Sequence, residues 1–389
     1  MKDVPILRFT EFEGVWEIKE LGDLCEIKTG NKDTQNKIEG GIYPFFVRSN
    51  TVERINSYSF DGEAILTSGD GVGVGKNFHY INGKFDFHQR VYCLRKFKHK
   101  ISTRFIYYVF SEQFYNRAIK LSAKNSVDSV RMDMIANMKI LVPSLYEQEK
   151  VAGFLSAVDE KLQQLKQKKT LLAQYKKGVM QQIFNQEIRF KDDDGNEFPE
   201  WEEKSLGEVA ELTSSKRIYL SDYVNEGIPF YRGKEISELK FNTVPTDILY
   251  ISEKAYLEFK ERYGVPKIND ILMTAVGTLG NVLRIKNNDP FYFKDGNLIW
   301  FKDIKESSSF LEILFEINKE EINKISIGST QRALTMVELR KLVFKFPLIP
   351  EQTKIANFLS AIDENINNIT NQLTLTEQWK KGLLQKMFV

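Results

Sequence analysis

The stretch most suggestive of chemistry is Gly71-Val72-Gly73-Val74-Gly75-Lys76, which follows the strand-like run Ala64-Ile65-Leu66-Thr67. A glycine-rich loop ending in lysine can cradle phosphates with its backbone N–H groups. A P-loop, however, needs a glycine five residues before its Gly-Lys pair and Ser or Thr after it. Asp70 and Asn77 occupy those places, so nucleotide binding is not expected. A dinucleotide fingerprint fails on spacing, and His79-Tyr80 do not open a helix. What remains is a flexible turn whose backbone approaches something closely. Its counterpart, Gly277-Thr278-Leu279-Gly280-Asn281, keeps glycines and loses the lysine.

Other constellations also fall short. Asn288-Asp289-Pro290-Phe291 lacks the second proline of the amino-methyltransferase motif and reads as a turn between strands. His79, His88 and His99 lie in one half of the chain without partners for a zinc site or a Ser-His-Asp arrangement. His88 and His99 read as surface residues. Glu258 and Lys260 form a Glu-x-Lys pair, but no upstream acid completes a nuclease site. No catalytic residue and no metal site are therefore expected.

The elements around these residues are more informative. A chain of 389 residues with 42% hydrophobic and 28% charged content implies soluble, globular structure in two domains. No apolar run is long enough to span a membrane, and Met1 to Thr10 carry no signal-peptide core. Two cysteines, Cys25 and Cys93, exclude a disulfide framework and fit a reducing cytoplasm, the expected location. The net charge of +2 is a weak basic bias. Residues 16–142 carry 19 Lys/Arg against 14 Asp/Glu, whereas 201–346 carry 21 against 22. Charge alone does not point to nucleic acid.

An internal repeat decides the architecture. Residues 143–184 align with 347–388 at a constant offset of 204, without a gap, and 19 of 42 positions are identical. Upstream, Arg8-Phe9, Trp16, Lys19 and Leu21-Gly22-Asp23-Leu24 recur as Arg189-Phe190, Trp201, Lys204 and Leu206-Gly207-Glu208-Val209. The blocks between diverge, yet landmarks survive. Pro44-Phe45-Phe46 and Arg48 match Pro229-Phe230-Tyr231 and Arg232, and Phe85-Asp86-Phe87 matches Phe291-Tyr292-Phe293. The expected divisions are a first globular domain over 1–142 (lead-in 1–15), a helical spacer over 143–185, a second domain over 186–346 (linker 186–200) and a second spacer over 347–389.

Each spacer has apolar residues at steps of three and four, apart from one longer gap in each that Lys169 and Thr376 fill. The first seam is Leu155, Val158, Leu162, Leu165, Leu172, Tyr175, Val179 and Ile183; the second is Leu359, Ile362, Ile366, Ile369, Leu373, Trp379, Leu383 and Met387. A seam sustained over four heptads predicts coiled-coil helices. The simplest burial is of one seam against the other, antiparallel if the two halves are related by a pseudo-twofold; packing of each helix on its own domain is the alternative. The lysines between Lys161 and Lys177 read as a solvated face. The fold class is thus α/β (α+β): two similar globular domains joined by two long helices.

The pattern Pro-x-x-x-Glu-Gln-x-x-Ile/Val-Ala-x-Phe-Leu-Ser-Ala-Val/Ile-Asp-Glu, present at 143–160 and 347–364, resembles the conserved helical regions of type I restriction-modification specificity subunits. Trp-x-x-x-x-Leu-Gly-(Asp/Glu)-(Leu/Val) at Trp16 and Trp201 looks like the start of that family's target-recognition domains. The resemblance covers almost the whole chain. It implies a non-catalytic subunit that binds double-stranded DNA at a split site, one half per globular domain, with the helices setting the gap. It also implies two modification subunits, which methylate adenine, and restriction subunits as partners. S-adenosylmethionine, ATP and Mg are then expected on those partners and not on this chain. A coiled-coil interaction protein without a DNA role and a stand-alone DNA-modifying enzyme are the alternatives.

Side chains near loop glycines that can bond base edges are the candidate DNA contacts. In the first block these are Arg48, Ser49, Asn50, Ser68, Lys76, Arg90, Lys124 and Asn125. In the second they are Arg232, Lys234, Thr274, Asn281, Lys294, Asn297, Gln331 and Arg332.

Overall fold

The computed structural model describes residues 4–71, 73–121, 129–241, 243–328 and 332–388. The chain divides into two compact units: Met1–Lys168 with Ile369–Val389, and Lys169–Asn368. Each long helix, Leu145–Phe184 and Ile349–Met387, contributes one segment to each unit.

In unit 1, strand Glu17–Glu20 pairs antiparallel with Lys139–Val142, tying the start of the globular block to its end. Between them lies a six-stranded sheet in the order 26–29, 91–95, 60–68, 78–87, 43–46, 52–55. Its central strand Phe60–Ser68 is buried on both faces from Ala64 to Ser68, the polar Thr67 and Ser68 included. Helix Thr103–Leu121 covers it with Phe105, Ile106, Val109, Phe110 and Phe114.

Unit 2 repeats this plan with shorter strands. Glu202–Ser205 pairs with Val343–Phe346, and one four-stranded sheet runs 211–213, 298–302, 271–274, 282–284. A second sheet contains Ile228–Tyr231, and helices Gly233–Lys240 and Glu253–Tyr263 enlarge this block. The aromatic landmarks pair in parallel in both units: Phe45 and Phe46 with Asp86 and Phe87, Phe230 and Tyr231 with Tyr292 and Phe293.

The repeated motif residues build the same frame twice. Buried Glu147 accepts hydrogen bonds from Arg8 Nε and Nη2 at 2.8 Å, and buried Glu351 accepts from Arg189 at 3.3 and 2.8 Å. Gln148 donates to Pro143 O and accepts from Ser102 N; Gln352 donates to Pro347 O and accepts from Ser307 N. Phe9 meets Phe154 edge-on as Phe190 meets Phe358. The Leu7 N–H donates to Lys386 O in unit 1, and the Ile188 N–H to Gln182 O in unit 2.

The long helices do pack on the globular blocks, and they also pack on each other within each unit. In unit 1 the first helix runs from Asp159 to Lys166 while the second runs back from Lys380 to Glu377, an antiparallel pair joined by two ion pairs. In unit 2, Val179 and Ile183 share a core with Ile355, Leu359 and Ile362, and Lys176 pairs with Asp363 at 2.7 Å. Leu155, Val158, Leu162, Leu165, Val179, Leu359, Ile362, Ile369, Leu373 and Leu383 are buried; Leu172 and Ile366 are partly so. The seam corrects the sequence reading at two places. Tyr175 and Trp379 are 54% and 52% exposed. The next residues, Lys176 and Lys380, turn inward instead, laying their aliphatic stems along the seam and their charges on Asp363 and Asp159. Among the described residues no helix is long and apolar enough to cross a membrane.

Candidate nucleic-acid interface

Both units present a glycine loop at one end of the central sheet. In unit 1 the loop leaves strand Phe60–Ser68 and is clasped where Asn77 Nδ2 donates to Ser68 Oγ at 3.0 Å. In unit 2 it leaves Ile271–Thr274, and the Asn281 N–H donates to Thr274 Oγ1 at 2.9 Å. Gly75 and Gly280 both have φ of +71°, and a Cβ there would press on Tyr115 or Asn323 of the neighbouring helix. The loop is therefore a packed turn, which explains its glycines without a nucleotide. The chain beyond that helix returns beside the loop in both units: Val130 N–H donates to Gly69 O, and Leu334 N–H to Ala275 O.

This arrangement corrects four candidates. Ser68, Thr274 and Asn281 are buried, because the clasp needs their polar atoms inside. Asn281 also donates to Ser237 Oγ and accepts from Lys319 Nζ. Arg232 is half-buried and turned inward, its guanidinium on the fully buried Glu235 carboxylate and on Asp247 O. Burying Glu235 without that cation would leave an unpaired charge.

Of the remaining first-block candidates, Arg48 and Arg90 meet in a polar cluster. Arg48 Nη1 donates to Asp70 Oδ1 at 3.1 Å, and Arg90 Nε lies 3.7 Å from Asp70 Oδ2. His88 is buried beneath them, a correction to its reading as a surface residue. Its Nδ1 accepts the Arg90 N–H at 2.9 Å, and its Nε2 lies 3.6 Å from Asp33 Oδ2. Burial first, and then the Arg48 charge, holds this imidazole below the ordinary histidine range. His79 is lowered too, by burial, while its Nε2 donates to Ser49 O. Asn50 is exposed, Ser49 donates to Thr51 O, and exposed Lys76 lies over the Tyr115 ring. Lys124 and Asn125 lie outside the described residues.

In unit 2 the equivalent places carry other side chains. Lys294 N–H donates to Tyr231 O as His88 N–H does to Phe46 O; Asn297 O accepts from Ala275 N as Arg90 O does from Gly69 N. Lys234 is exposed near Glu238 and Asp247, and exposed Arg332 donates to Asn323 O. Gln331 lies outside the described residues. Sequence reasoning missed Asp70, noticed only for breaking a P-loop, and Asp33. Nothing local marks them, since strand pairing alone brings them to the arginines and His88. Among the described residues no three His, Cys, Asp or Glu side chains converge as a metal site.

Comparison with known proteins places this geometry in context. A putative type I restriction enzyme specificity subunit of Haemophilus influenzae is 26% identical over 373 residues, 94% of this chain and 92% of that protein. The crystal structure of a type I restriction-modification S subunit from M. genitalium superposes with a TM-score of 0.65 at 16% identity, over 99% of both chains. A structure described as showing the basis of complex assembly and conformational transition of the type I R-M system matches with a TM-score of 0.54 at 15% identity, over 96% of this chain and 97% of that one. The family model for the type I restriction modification DNA specificity domain matches twice, at 13–174 and 199–376. Those two matches coincide with the two copies of the frame, and the chain belongs to the type I restriction modification DNA specificity family.

Proposed function

We propose that this chain is the DNA sequence-specificity subunit of a type I restriction-modification complex. Each globular block reads one half of a split double-stranded site. The long helices set the spacing of the halves and dock two modification subunits. Chemistry resides on the partners: S-adenosylmethionine on the modification subunits, ATP and Mg on restriction subunits, all in the cytoplasm. The observation that carries this reading is one frame built twice, carrying different side chains at equivalent tips. A shared frame with divergent tips suits two readers of different sequence, since base contacts specify while scaffold contacts only position. Docking of two like partners is supported by a face repeated on both helices. Leu171 and Tyr175 are 55% and 54% exposed, and their repeat equivalents Leu375 and Trp379 are 64% and 52% exposed.

Co-expression with adenine-modification subunits, followed by mapping of methylated bases, tests the proposal. The expected result is a bipartite motif with a fixed gap that appears only when this chain is present. The same motif without the chain, or methylation by the chain alone, overturns it.

A further inference from the structure

The cluster at the tip of unit 1 places one acid between two exposed arginines. Asp70 is fixed by the bridge between its backbone and that of Ser129, and its carboxylate lies between Arg48 and Arg90. The Arg90 backbone is held at two points, its N–H on His88 Nδ1 and its carbonyl accepting from Gly69 N, while its side chain meets Asp70 only as an ion pair, Nε lying 3.7 Å from Oδ2. The approach to Asp70 is through Nε, and no hydrogen bond to a described residue occupies Nη1 or Nη2. The Arg90 side chain is 67% exposed and that of Arg48 is 45% exposed. An exposed arginine ordinarily samples many rotamers, and ordering it opposes binding. Here an acid that cannot itself favour a polyanion biases the fork toward one orientation beforehand. Such an acid weakens general attraction to phosphate, so its presence makes sense only for selectivity.

We infer that Asp70 is a positioning residue that presets Arg90, with Arg48 beside it, to read a guanine in the half-site bound by unit 1. The inference rests on the proposed role as a specificity subunit. Two parallel donors match the O6 and N7 acceptors of guanine in the major groove. Unit 2 carries Asn297 where unit 1 carries Arg90, so the fork belongs to one half only.

The test uses the chain assembled with its modification subunits, and duplexes in which each position of the mapped site is varied singly. Arg90→Ala lowers the preference for guanine at one position of one half by roughly 10- to 100-fold and leaves the other half unchanged. Arg90→Lys weakens the same preference but keeps the salt dependence of binding, because a point charge replaces the planar fork. Asp70→Asn, which preserves shape, relaxes that position several-fold while raising affinity for unrelated DNA at low salt. A thermal melt of each variant separates these effects from misfolding. A site lacking guanine in both halves, variants that leave discrimination unchanged, or a loss spread evenly over all positions each overturns the inference. A wild-type complex indifferent to every position would instead overturn the specificity reading on which it rests.

Discussion

Glu147 and Glu351 stand at the same place in the repeat but hold different partners. Glu147 binds Arg8 and also accepts from Trp16 Nε1 at 3.2 Å. Glu351 binds Arg189, while Trp201 Nε1 is buried without a partner among the described residues. Truncation to alanine strands an arginine whose side chain is 16% exposed in one case and 14% in the other. Stranding a fully buried charge costs about 3–5 kcal/mol and breaking an exposed pair about 0–1. Each guanidinium keeps a bond to a carbonyl, Gly14 O or Pro199 O, so Glu351→Ala falls at about 2–3 kcal/mol. Glu147→Ala also orphans an indole N–H, which adds about 1–2 kcal/mol. Trp16→Phe should therefore destabilise more than Trp201→Phe, since both lose buried indole packing but only Trp16 also loses a hydrogen bond. Urea unfolding of the full chain, followed by tryptophan fluorescence, reads these differences. With a slope of about 2–3 kcal/mol per molar, Glu147→Ala should unfold roughly 0.5 M earlier than Glu351→Ala. Equal midpoints for the two glutamate variants, or a Trp201→Phe as costly as Trp16→Phe, would refute the reasoning.

Double-mutant cycles on Lys176 with Asp363 and on Lys380 with Asp159 should each return a coupling of about 0.5–1 kcal/mol, since the carboxylates remain 48% and 35% exposed; stability assays lacking any coupling would place the lysines outside the seam. His79 and His88 have folded pKa values below their unfolded ones, so the unfolded chain takes up protons first as pH falls. Their stabilising contribution is present above about pH 6.5 and is lost as pH drops through that value toward the folded pKa. Unit 2 has no histidine and serves as the internal control; a melt in which unit 1 shows no excess acid sensitivity counts against the burial of these rings. Asn281→Ala leaves Lys319 Nζ and Ser237 Oγ without their shared partner and should cost about 2–3 kcal/mol, read as a lowered thermal midpoint, whereas a neutral effect would mean that the side chain does not bridge Lys319 and Ser237 in solution.

The long helices and the doubled plan were legible because their signals are local and repeated: steps of three and four residues, and motifs such as Trp16 with Leu21-Gly22 recurring at Trp201 with Leu206-Gly207. Tyr175 and Trp379 lie outside the seam because apolarity alone does not place a side chain in it. Lys176 and Lys380 can enter a seam when an acid on the opposite helix meets the charge, and that acid lies far away in sequence. Residue type near glycines cannot distinguish Ser68, consumed by Asn77, from Arg90, whose guanidinium makes no hydrogen bond to a described residue. That distinction depends on which strand end lies beside which loop, and so on nonlocal pairing.

Frame and tip differ in what a substitution disturbs. Glu147, Gln148 and Trp16 are each bonded on the buried side, so changing one strands another, and unit 2 keeps Glu351, Gln352 and Trp201 at the same places. Arg90 and Asn297 share only a backbone role, their carbonyls accepting from Gly69 N and Ala275 N. The side chain beyond that bond is not required by the fold. It follows that Arg90→Asn should shift stability by less than about 0.5 kcal/mol, the range of ordinary surface changes, while altering which bases the first half-site prefers. A chemical melt together with methylation mapping measures both quantities on one protein. A large loss of stability with an unchanged motif would assign Arg90 to the frame, and the separation of scaffold from reader would fail at the residue where it is drawn most sharply.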